Sequence, residues 1–74
     1  MKIYMFKTNI LTASDKRKVK EALSLYNGIY KWHVDLTHPY NVLHVEGYGV
    51  TAQKIIASIM EAGFLCAEMV YSGG

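Results

Sequence analysis

The chain has a single cysteine, Cys66, so no disulfide can form within it. Proline occurs once, at Pro39. No apolar stretch approaches the roughly 20 residues that a membrane-spanning helix needs. Neither sign of charge dominates: the formal net charge is +2, with much of the positive charge gathered at Lys16, Arg17, Lys18 and Lys20. A run this short reads as a solvated helix face, and a nucleic-acid footprint needs a broader basic stripe. The opening residues lack the apolar run and small-residue cleavage site of a secretory leader. Together these absences predict a soluble, reduced, cytoplasmic protein that neither enters a membrane nor binds nucleic acid. No paired carboxylates, phosphate-binding glycine loop or Ser/His/Asp set is present, so the sequence predicts no enzyme and no cofactor.

What is present suffices for one domain over residues 1–74, with residues 72–74 as a flexible tail. Hydrophobic residues make up 51% of the chain, enough for one core. Lys2 to Thr8 is rich in β-branched and aromatic residues and reads as strand one. Both of its alternate sets are apolar, Ile3 with Met5 and Tyr4 with Phe6, as in a central strand. Thr12 and Asp15 have capping-box spacing, so helix one starts there. Its stripe of Val19, Ala22, Leu23 and Tyr26 carries it to about Tyr26, with Gly28 suited to a left-handed position beyond its end.

Strand two is expected over Ile29 to Leu36 and strand three over Asn41 to Glu46. One register sets Trp32 opposite Val45 and Val34 opposite Leu43 on an apolar face. The same register sets His33 opposite His44 and Lys31 opposite Glu46 on the other face, where the charged pair is favourable. A slip of one residue would mix the two sets. Thr51 caps helix two, Val50 is placed to staple against Ile55, and the expected buried stripe is Ala52, Ile55, Ile56, Ile59 and Met60. Gly63 stops that helix, and strand four runs from Leu65 to Tyr71, with Glu68 favouring a sheet edge. The order βαββαβ predicts an α+β, ferredoxin-like sandwich: a four-stranded antiparallel sheet with two helices on one face.

The stretch KVKEALSLYNGIYKWHVDL carries Val19, Ala22, Leu23, Gly28, Ile29, Val34, Asp35 and Leu36 at the spacing V-x-x-A-L, G-V, V-D-L. The stretch IIASIMEAGF carries Ile59, Ala62, Gly63 and Phe64 at the spacing A-I-x-x-A-G-Y/F, with Ser58 at the inner alanine. Both resemble the signatures of heavy-metal-associated domains, and the resemblance covers nearly the whole chain. It implies a G-M-x-C-x-x-C loop between strand one and helix one, whose two thiolates hold a soft ion such as Cu(I) or Zn(II). Small members of that family act as metallochaperones or as N-terminal domains of metal-pumping ATPases. Here the resemblance sets Asn9 at the glycine, Ile10 at the methionine, and Thr12 and Asp15 at the two cysteines. Phe64 matches the aromatic residue that lies near the family's metal. The chain resembles a degenerate member that lacks both thiolates, and it is expected to bind no metal tightly, since a hydroxyl and one carboxylate do not replace two thiolates for a soft ion.

Other candidates are fewer. His33 and His44 could share a borderline ion, but two imidazoles alone make a weak site. The face away from the helices is expected to display Tyr4 and Phe6, with Tyr30, His33, Val42 and His44 nearby, as an interaction surface. Cys66 reads as a buried structural thiol. The functional expectation is a non-enzymatic binding module of the metal-transport lineage, with a protein partner or a second copy as its ligand. A ligand-sensing or dimerising domain of the same fold and a weak histidine-based metal binder are the alternatives.

Overall fold

The computed structural model describes residues 2–69. Six elements follow in order: β1 (Lys2–Thr8), α1 (Ala13–Leu23), β2 (Ile29–Asp35), β3 (Val42–Gly47), α2 (Ala52–Glu61) and β4 (Cys66–Glu68). The four strands form one sheet in the order β2-β3-β1-β4, with antiparallel pairing throughout. This is the ferredoxin-like arrangement read from the sequence. β1 is an interior strand, and β4, with Glu68, is an edge. The part of strand four expected at residues 70 and 71, and the tail at 72–74, lie outside the described residues.

The β2–β3 register is the expected one, with Trp32 opposite Val45, His33 opposite His44, Val34 opposite Leu43 and Lys31 opposite Glu46. The pairing then shifts between Ile29 and Lys31, which leaves Tyr30 in a bulge.

Which way β1 faces differs from expectation. Tyr4 stands opposite Val45 and Phe6 opposite Leu43. Opposed residues share a face, so both rings join Trp32 and Val34 under the helices. Tyr4 and Phe6 are therefore core residues, not an exposed aromatic pair, and Phe6 has no exposed surface at all. Their rings stack at 6.1 Å between centroids. The buried Tyr4 hydroxyl donates to the Val50 carbonyl at 2.8 Å, which ties β1 to the start of α2. Ile3 (63% exposed), Met5 and Lys7 take the open face instead.

Val19 and Leu23 of α1 and Ile55 and Ile59 of α2 close the core over these strands, joined by Ile10, Val50 and Phe64. Two helix readings also change. α1 ends at Leu23, and Tyr26 packs against the core from the following turn, its hydroxyl 2.6 Å from that of Ser58. Met60 points outward, because Ile55 and Ile59 already fill the inner face of α2. That helix closes as a Schellman turn: Gly63 at φ 102° donates to the Met60 carbonyl, and the Phe64 N–H reaches the Ile59 carbonyl. Gly28, by contrast, is not left-handed. A Cβ there would overlap the Tyr48 carbonyl, so close passage of two backbones is what calls for glycine.

Candidate functional site

The loop from Asn9 to Asp15 joins β1 to α1, and its hydrogen bonds account for its shape. Thr12 is the N-cap of α1: its hydroxyl accepts from the Asp15 N–H at 3.0 Å. Asp15 Oδ2 accepts in return from the N–H groups of Thr12 and Leu11, each at 3.1 Å. These backbone bonds hold the Asp15 carboxyl below its usual range. The other end of the loop is pinned from outside. Asn9 Oδ1 accepts from the Leu65 N–H at 2.9 Å, joining the loop to the segment before β4. The Thr8 hydroxyl accepts from the Ile10 N–H and donates to the Asn41 carbonyl at 2.6 Å. Ile10 inserts fully into the core, and Phe64 is buried in the same cluster.

This donor set does not fit a soft metal ion. The loop's side chains offer only hydroxyl, amide and carboxylate oxygens, with no thiol, and the Thr12 hydroxyl and Asp15 carboxylate already hold the start of the helix. The one thiol lies elsewhere: Cys66 faces Thr8 across the β1–β4 pairing and packs against the core. Burial pushes that thiol up to about 11, so it stays protonated at neutral pH. Among the described residues, no group of three or more His, Cys, Asp or Glu side chains could hold an ion.

The open face of the sheet has its own order. The His33 and His44 rings stack face to face, 4.4 Å apart and 5° from parallel. Burial, and then the His33 charge, hold His44 below the usual imidazole range. One pair along, Lys31 and Glu46 approach to 3.9 Å, an exposed contact of little energetic weight. On the other side, the Asp35 carboxylate accepts from the Thr37 hydroxyl and N–H and is held below its usual range by those bonds. Val42 is buried on this face, opposite Asp35, and Tyr30 is exposed. The structure thus brings His33 and His44 together and separates them from Tyr4 and Phe6.

Three features escaped the sequence reading. The Asn9–Leu65 bond links distant segments and leaves no local pattern. The burial of Ile10 had a faint signal, an isolated branched residue in a polar loop. Asn41, left-handed at φ 45°, follows a Pro-Tyr turn, where asparagine is the residue that tolerates this conformation.

No family profile matches the sequence, and no curated protein matches it either. Solved structures do match. A copper binding domain from HMA7, a P-type ATPase, is 25% identical, with a TM-score of 0.79 over 95% of this chain and 96% of that one. The yeast copper transporter domain CCC2A is 20% identical, with a TM-score of 0.81 over 97% of this chain and 100% of that one. The CopZ metallochaperone is 16% identical, with a TM-score of 0.77 over 89% of this chain and 100% of that one. The resemblance in the sequence and these matches agree: the chain has the fold of the heavy-metal-associated domains, and it carries a single cysteine, Cys66.

Proposed function

We propose that this chain is a non-enzymatic binding module of the metal-transport lineage whose strand-to-helix loop no longer holds a soft ion. The observation that carries this reading is the reciprocal bonding of Thr12 and Asp15. The two side chains at the ligand positions complete a capping box, so the loop keeps its shape without a metal. The proteins it resembles are a copper-binding ATPase domain, a copper transporter domain and a metallochaperone, which supports a place in the same kind of system. Its ligand on this reading is a protein, either a component of such a system or a second copy of the chain. Leu11 in the loop and Leu65 beside it, 61% and 68% exposed, supply apolar contact area there. No helix among the described residues is long and apolar enough to cross a membrane. A single thiol fits a reducing compartment, and we place the domain in the cytoplasm.

The test is an NMR titration of the whole chain with Cu(I) and with Zn(II). Amide signals of residues 9–15 are expected to stay in place. Submicromolar binding of either ion that moves them would overturn the reading. Light scattering on the same sample reports whether the chain pairs with itself.

A further inference from the structure

The open face of the sheet carries a row of side chains that the sequence keeps far apart. Met5 on β1 stands opposite His44 on β3, and His44 stands opposite His33 on β2. On the other flank of β1, Phe6 pairs with Glu68, and one residue later the Met69 N–H donates to the Met5 carbonyl at 2.9 Å. The antiparallel register therefore continues and sets Met69 opposite Met5. The row across the four strands reads Met69, Met5, His44, His33. Directly opposed residues in neighbouring strands have Cβ atoms about 4.5–5.5 Å apart, within reach of one shared ion for side chains of this length. The two imidazoles are already in contact, at 4.4 Å. Met5, His44 and Met69 are half-buried, His33 is exposed, and both helices lie on the opposite side of the sheet.

We propose that this row is a Cu(I)-binding site, with the His44 and His33 imidazoles and the Met5 thioether as ligands and the Met69 thioether beside them. The chemistry of the set selects the ion. Thioethers are soft donors that favour Cu(I), and imidazole accepts copper readily. Imidazole and thioether ligands carry no charge when they bind an ion, so a monovalent ion leaves less uncompensated charge on the half-buried face than a divalent one does. Hard cations find no oxygen ligand in the row, and the Asp35 carboxylate beside it is engaged by Thr37. The rings as they stand are parallel, so their nitrogen lone pairs do not converge. His33, exposed on edge strand β2, has room to turn about its side-chain torsions, and loading the site opens the stack. The site shares no residue with the loop and does not depend on how the loop is read.

The experiment is an anaerobic titration of the whole chain with Cu(I) buffered by bicinchoninate, followed by NMR of the methionine methyls and histidine rings. The expected result is uptake of one ion per chain, with shifts at Met5, Met69, His33 and His44 and none at residues 9–15. Met5→Leu and His44→Gln are each expected to weaken binding by about tenfold or more. Zn(II) at equal concentration is expected to leave the methionine methyls unmoved. Failure to draw Cu(I) from bicinchoninate overturns the proposal and leaves the loop reading standing. Uptake that a folded Cys66→Ser variant lacks also overturns it, and uptake that moves residues 9–15 overturns both. The shifts are read on the unaltered chain, so the test holds even if a variant fails to fold.

Discussion

Asp15 holds two backbone N–H groups with one carboxylate oxygen, and Thr12 answers with its hydroxyl. Thr12→Ala removes one of these three bonds, the one that caps the helix, and is expected to cost about 0.5–2 kcal/mol, measured as a shift in the denaturant midpoint. An unchanged midpoint would mean that the helix starts elsewhere. The same bonds set a pH dependence. The folded-state pKa of Asp15 is depressed, so its contribution is present above the ordinary carboxylate range and is lost as pH falls through the folded value. Melts between neutral pH and acid should show this loss in the parent and a smaller one in Asp15→Asn. Cys66 behaves in the opposite sense. Its thiol is raised to about 11, so iodoacetamide at pH 8 should label it far more slowly than it labels free glutathione. Labelling as fast as glutathione would mean that the thiol is not buried against the core.

Among the elements, the turns are the most constrained. The β2 start and the β3 end cross where Gly28 and Gly47 leave no room for a Cβ, each facing the other segment's backbone. The Tyr48 N–H closes that crossing with a 2.8 Å bond to the Gly28 carbonyl. Gly28→Ala is therefore expected to cost at least about 2 kcal/mol, near the upper part of the range for single substitutions. Gly49→Ala is the contrasting variant. Its φ of 67° is strained for alanine, but nothing lies within 4 Å of the new atom, so its loss in a parallel melt should be the smaller of the two. The reverse order would mean that backbone strain, not close passage, governs this turn.

For the molecule as a whole, the decisive feature is the direction in which β1 faces. A chain of 74 residues has a total stability on the order of 4–11 kcal/mol. Truncating a buried phenylalanine costs about 3–5 kcal/mol. The pair Tyr4→Ser with Phe6→Ser is thus expected to abolish cooperative unfolding and amide dispersion. Ile3→Ser, on the exposed set, should stay within about 0.5 kcal/mol of the parent. A folded double variant would return those rings to the open face and move Met5 inward, taking the Cu(I) site with it.

Local chemistry determined much of this protein. The Thr12 and Asp15 cap, the Thr51 cap, the Gly63 stop and the β2–β3 register were all legible, because each depends on residues close in sequence or on a pattern that one slip would spoil. The likeness to heavy-metal-associated domains was legible for the same reason. Only the tertiary structure decided the facing of β1. Both of its alternate sets are apolar, so periodicity leaves the choice open, and the pairing of Tyr4 with Val45 and Phe6 with Leu43 settles it. The meeting of Met5 with His44, and the Asn9 bond to Leu65, are likewise products of strand order. They join segments that no local pattern connects, which is why the loop could be read from the sequence and the row on the open face could not.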